Sequence, residues 1–99
     1  MINELKLQRH ERRNKLELNY SILHSVMKES KSVDFVRPTR IQFLSNLSYD
    51  TLSNHLHDLK VMKLINLSKG ITITKKGEQF VKDYERIQKL IRQINIDYF

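Results

Sequence analysis

Residues 39–64 read TRIQFLSNLSYDTLSNHLHDLKVMKL. Leu52, Leu56 and Leu59 recur at spacings of four and three, which places them on one side of a helix and obliges them to pack against something. Asp50, Ser53, Asn54 and His57 then point outward, with short polar side chains of the kind that reach base edges. Ser48 is a natural N-cap for this helix, expected over about residues 49–61, and Asp50 sits near the positive end of its dipole. Residues 46–48 form a turn, and a shorter helix precedes it. Thr39 can cap that helix with its hydroxyl, and Pro38 at its first position is an equally good start. Ile41 and Leu44 are expected to face inward, Leu47 to pack in the turn and Phe43 to cover the edge of the same core. Short helix, tight turn and longer helix make a helix-turn-helix, whose second helix normally enters a DNA groove.

Downstream, Met62, Leu64, Ile65 and Leu67 continue the apolar supply, and residues 65–74, INLSKGITIT, alternate apolar and polar around Lys69-Gly70. Glycine at a two-residue turn between β-branched residues signals a hairpin, because glycine alone enters positive φ cheaply. A hairpin straight after a helix-turn-helix is the wing of a winged helix. Lys69 at its tip and Lys75 and Lys76 at its exit would sit near a phosphate backbone, or else merely solvate a turn. Thr74 can cap a last helix from Lys75 onward, where Gly77 in the first turn reads as a mild penalty.

In that last helix Phe80, Tyr84, Ile87, Ile91, Ile94 and Tyr98 repeat at four, three, four, three and four, with Leu90 beside them and charges around them. The seam is on the order of 27 Å long, more than a domain of this size covers with its own surface. Two readings follow: a second copy shields it, or the helix folds back across the first one. Phe80 and Val81 belong to the globular core on either reading.

Upstream, Leu16, Tyr20, Leu23 and Met27, widened by Ile22 and Val26, predict an amphipathic helix from Asn14 to about Glu29. Residues 28–34, KESKSVD, read as a loop, and residues 35–37 as a short extended segment ahead of Pro38. Residues 1–13 carry Arg9, Arg12 and Arg13, and read equally as a basic arm touching phosphates or as a solvated helix extension.

The 99 residues suffice for one domain with one modest core. Eighteen lysines and arginines against 11 acids give +7, and a pI near 9.8, so the partners expected are polyanions. With no cysteine there is neither a disulfide framework nor a thiolate zinc site. His55 and His57 lie two apart on different sides of a helix and cannot share an ion, and His10 and His24 are distant, so no metal or other cofactor is expected. His57 is expected outward near DNA, and His55 half-buried beside the first helix. Glycines at 70 and 77 alone cannot build a phosphate-cradling loop, and no nucleophile stands beside a base, so no enzyme or small-molecule substrate is expected. No apolar run approaches a membrane span or a signal-peptide core, which points to a cytoplasmic, nucleoid location.

The segments RRNKLELNYSIL (residues 12–23), RPTRIQFLSNLSYDTLSNHLHDL (37–59) and LINLSKGITITKKGEQFV (64–81) together resemble the archaeal winged-helix proteins of the ten-kilodalton "ten-a" DNA-binding family and related regulators. That resemblance implies dimerisation through an antiparallel coiled coil of the last helices, with two heads facing duplex DNA. It places Ser48, Tyr49, Asp50, Ser53, Asn54 and His57 on the recognition helix and Lys69 and Gly70 in the wing.

The expected protein is mainly α with a small β-hairpin. It has a basic arm or helix extension over 1–13, a winged helix-turn-helix domain over 14–76 and a coiled-coil dimerisation helix over 77–99. Its expected partners are double-stranded DNA and a second copy of itself, as a transcription regulator or nucleoid-associated protein. Phosphate contacts fall to Arg37, Arg40, Lys60, Lys63, Lys69, Lys75 and Lys76, and base contacts to Ser53, Asn54 and His57, with Asn54 the leading candidate because its amide pairs two ways with adenine. Dimerisation falls to Tyr84, Ile87, Leu90, Ile91, Ile94 and Tyr98. The alternative is a protein-docking module that binds no DNA, its last helix pairing with a different protein.

Overall fold

The computed structural model describes residues 14–98, with side chains described as far as Asn95. The expectations for residues 1–13 and for the Tyr98 side chain lie outside the described residues.

The first helix, α1 (Lys15–Glu29), starts at an N-cap formed by Asn14, whose side-chain oxygen accepts from the Glu17 N–H at 2.7 Å while its amide donates to the Glu17 carboxylate at 3.0 Å. Its inward line is Asn19, Ile22, Leu23 and Val26. Leu16, expected in that stripe, is 52% exposed. It lies at the edge of the stripe, on the side shared with the half-buried Tyr20 and Met27.

In α2 (Pro38–Ser45) Pro38 takes the first helical position, and Arg37 caps without a side-chain bond. The inward pair is Ile41 and Ser45, four apart, rather than Ile41 and Leu44. Leu44 is therefore 42% exposed, and Phe43, expected over the core edge, is 76% exposed. The 41/45 line faces the body, which turns Leu44 to the edge of that face and Phe43 away from it. Asn46 in the left-handed region (φ 55°) ends the helix, its N–H donating to the Gln42 carbonyl.

Ser48 then caps α3 (Tyr49–Val61), accepting from the Thr51 N–H at 3.2 Å and donating its own hydroxyl to the Thr51 side chain at 2.8 Å. Leu52, Leu56 and Leu59 are buried, as their spacing requires. They join Ile22, Leu23 and Val26 of α1, Val36, Ile41, Leu64, Ile65, Ile71 and Val81 in one core.

The hairpin pairs β1 (Ile65–Asn66) with β2 (Thr72–Ile73), antiparallel, Ile65 opposite Ile73 and Asn66 opposite Thr72. Its connection is not the two-residue turn expected: residues 67–71 all lie between the paired strands. The reason is a second pairing on the far side, where Ile71 and Val36 exchange backbone hydrogen bonds at 2.7 and 3.2 Å. That bridge draws the returning arm of the wing toward the segment before α2. Gly70 (φ 139°) makes the approach possible, since a Cβ there would stand 3.0 Å from the Phe35 Cβ and 3.1 Å from the Val36 carbonyl oxygen.

The last helix, α4 (Lys75–Tyr98), is fastened to the end of α3. Thr74 donates its hydroxyl to the Lys63 carbonyl at 2.8 Å, accepts from the Gly77 N–H at 3.0 Å, and sends its own N–H to the Leu64 carbonyl at 3.0 Å. Gly77 lies against that same Leu64 carbonyl, and an added Cβ would overlap it and meet the Ile73 side chain at 2.7 Å. The mild helix penalty read from the sequence is thus a packing requirement.

In an open helix Gly77→Ala would stabilise by up to about 1 kcal/mol. Here overpacking reverses the sign, and urea unfolding should show a loss of about 1–3 kcal/mol with an unchanged slope.

Candidate nucleic-acid interface

Two contacts fix the rotation of α3 about its axis. His55, half-buried, holds Nδ1 3.0 Å from the side-chain oxygen of the buried Asn19 on α1, and Asp58 pairs with Lys15 at 3.3 Å. With that side of α3 turned to α1 and the leucines turned to the core, Asp50, Ser53, Asn54 and His57 are all exposed on the remaining face.

Between α3, the start of α2 and the wing lies a groove of about 550 Å³. Leu52, Leu56, Leu67, Pro38 and Gly70 contribute its apolar surface, and Arg37, Tyr49, Ser53, His57, Lys60 and Lys69 its polar one. Among the described residues no carboxylate lines it. In a trough with a low-dielectric floor, three fixed cations reinforce one another and focus the field on whatever enters. A larger cleft of about 750 Å³ between α1 and α4 is lined by Lys82, Arg86, Lys89 and Arg92 but also by Glu17 and Glu85, so its charges partly cancel. Volume alone would favour the second site; the field favours the first.

The groove thus unites Arg37, Tyr49, Ser53, His57, Lys60 and Lys69 from the residues expected to meet DNA. Asn54 shares the outward face of α3 but lies beside the groove, and Lys63 and Lys75 are exposed outside it. The Ser48 hydroxyl is taken up by capping. Lys76 donates to the Met62 carbonyl at 3.0 Å, closing the end of α3. Arg40 is paired with Glu29 at 3.0 Å and lies 5.8 Å above the Phe43 ring, so its guanidinium is held against its own chain. Leu67 and Pro38 also form this surface, outside the set expected from the sequence. Leu67 belongs to the alternating run after α3, which was the signal for it.

α4 crosses α1 through an aromatic joint. Tyr20 and Tyr84 stack at 4.3 Å, Phe80 follows at 6.4 Å from Tyr84, and the Tyr20 hydroxyl donates to Glu85 at 2.7 Å. Burial, then the hydrogen bond to Glu85, pushes the Tyr20 phenol up to about 12; burial, then the Glu17 charge, raises Tyr84. Tyr84 therefore faces α1 and not open solvent, as its place in a seam between copies would need. Beyond it no described residue covers the helix: Ile87, Leu90, Ile91 and Ile94 are 53, 57, 45 and 53% exposed. Among the described residues no group of three metal-ligating side chains occurs, and no helix is long and apolar enough to cross a membrane.

The pattern of the winged helix-turn-helix family matches residues 12–92. This chain belongs to the winged helix-turn-helix family. Among solved structures it is similar to a mutant of MepR from a multidrug-resistant S. aureus clinical isolate, at 22% identity and a TM-score of 0.65, over 92% of this chain and 79% of that one. At that identity the likeness speaks for the fold. No curated protein matches the sequence. In this winged helix α3 is the second helix of the helix-turn-helix and the β1–β2 hairpin is the wing.

Because the folded state raises the Tyr20 phenol above its ordinary value near 10, the neutral form is favoured on folding. The stabilisation is complete below pH 10 and is lost as pH rises towards 12. Urea midpoints should fall between about pH 10 and 12, and Tyr20→Phe should fall measurably less over that interval.

Proposed function

We propose that this chain is a homodimeric DNA-binding protein, a transcription regulator or nucleoid-associated protein, acting on duplex DNA in the cytoplasm. The observation that carries this reading is the acid-free groove: three cations, a histidine and hydroxyl side chains arranged around an apolar floor beside an exposed helix face. A B-DNA major groove admits an α-helix of this size, and α3 entering it would set Arg37, Lys60 and Lys69 beside phosphates. Lys63, Lys75 and Lys76 add positive charge near the same end of α3, and Ser53, Asn54 and His57 meet base edges. Tyr49, half-turned to the groove, adds a contact to sugar or phosphate. Arg40 has a lesser part, since it would first have to leave Glu29.

The homodimer part rests on the uncovered stripe of Ile87, Leu90, Ile91 and Ile94, with Tyr98 extending it in sequence. A second α4 of the same sequence is the simplest cover, because a two-fold contact of a stripe with itself needs no further partner. The likeness to the ten-kilodalton archaeal proteins supports an antiparallel pairing. Residues 14–76 then act as the reading head and 77–99 as the joining helix. The same stripe favours the second reading, a docking module whose α4 meets a different protein. A gel shift with random duplex DNA at low salt separates the two, since a docking module leaves the DNA unshifted.

Binding to duplex DNA should weaken linearly on a log-log plot against salt, with a slope of about −0.9 for each phosphate neutralised. Lys60→Ala and Lys69→Ala should each flatten that slope by about 1, and a slope unchanged in both would remove the groove from the interface. Ile87→Lys combined with Ile91→Lys should give monomers in sedimentation velocity, with the far-ultraviolet spectrum unchanged.

A further inference from the structure

Asp50 is the feature this basic surface does not explain. It is exposed, and its carboxylate has no hydrogen bond or ion pair among the described residues, unlike Asp58, which Lys15 holds. On a helix, residues seven apart stand within about 20° of each other, so Asp50 and His57 share one outward line. Ser53 and Lys60, also seven apart, form the neighbouring line and turn into the groove. The 50/57 line is thus the crest of α3, with His57 bordering the groove, Asp50 outside it and the cations on the flank that faces the wing.

A helix in a major groove presents its crest to base edges and its flanks to phosphates. A carboxylate on a flank would be repelled, whereas one on the crest meets hydrogen-bond donors if the sequence supplies them. An ionised carboxylate only accepts. The donors exposed in the major groove are the N4 amine of cytosine and the N6 amine of adenine. In an A·T pair the amine lies between two acceptors, adenine N7 and thymine O4, which oppose a carboxylate; the cytosine amine has an acceptor on one side only, the O6 of its paired guanine.

We propose that Asp50 is a specificity-determining residue that selects a C·G pair by accepting from the cytosine N4 amine. The inference rests on the duplex-binding reading and sharpens it, because an acid on the crest serves a reader of sequence and only weakens an indiscriminate coat. It is compatible with the stabilisation that Asp50 gives the positive end of α3. Stability and base preference are separate observables.

The test is selection of bound duplexes from a random library by the full-length protein, by Asp50→Asn and by Asp50→Ala, with circular dichroism to verify folding. The wild type should enrich a cytosine at one step per head, and replacing that C·G pair with T·A should weaken binding about tenfold or more. In Asp50→Ala the same replacement should cost less than about twofold, while affinity for arbitrary duplex rises as repulsion is removed. Asp50→Asn, which keeps the shape of the side chain, should exchange the cytosine for adenine. If a variant is unfolded, the other decides. A wild type that binds duplexes with no enriched cytosine, or folded variants that keep it, overturns the role of Asp50 and leaves the binding reading intact. A wild type that binds no duplex overturns both.

Discussion

The arrangement turns on the few atoms where α3 ends and α4 begins. Lys63, in the left-handed region at φ 63°, reverses the chain after α3, and its carbonyl accepts from the Thr74 hydroxyl while the Leu64 carbonyl accepts from the Thr74 N–H. One threonine thereby closes the hairpin and starts the last helix, and the absence of a side chain at Gly77 lets that helix lie directly against the Leu64 backbone. The hairpin can then leave and return without displacing α3. The wing, the exposed face of α3 and the direction of α4 are all fixed relative to one another by this joint.

From it the surface divides in two. On one side the apolar leucines of α3 are consumed by the core, so its polar residues have nowhere to go but outward, and the wing folded beside them adds a lysine above an apolar floor. Buried apolar area, at roughly 25 cal/mol per Å², holds α3 far more firmly than its polar contacts do. The His55–Asn19 and Asp58–Lys15 contacts mark the side of α3 that faces α1. On the other side the Tyr20–Tyr84 stack and the Tyr20–Glu85 bond tie α4 to α1 for its first turns and then stop. Past Glu85 the apolar residues that would be core in a larger domain are left to solvent or to a partner.

Much of this was legible in the sequence because periodicity reports which face of an element is buried. The leucines of α3, the caps at Ser48 and Thr74, the half-buried place of His55 and the small hairpin after α3 all follow from local rules. What was not legible depends on contacts between distant segments. Nothing near Phe43 says that the 41/45 line of α2 faces inward. Gly77 reads as an ordinary helix glycine until the Leu64 carbonyl is known to lie against it. The wider wing loop follows from pairing with Val36, thirty-five residues upstream of Ile71. Tyr84 belongs by spacing to the exposed seam, yet its ring is claimed by Tyr20, so the uncovered stripe starts one turn later than the heptad suggests. Within the interface the residue types were legible but not their availability: Arg40 and Lys76 look as free in sequence as Lys60 does, and only the structure pairs them with Glu29 and Met62.

The central claim is that nucleic acid is met by the groove between α3 and the wing and not by the larger cleft between α1 and α4. Backbone amide shifts of isotope-labelled protein, followed while a short duplex is titrated in, test it directly. The account predicts movement concentrated at Tyr49, Ser53, His57, Lys60, Lys69 and Gly70, with Glu17, Ser21 and Gln88 still. Shifts centred on those last three residues, with the α3 face unmoved, would contradict it.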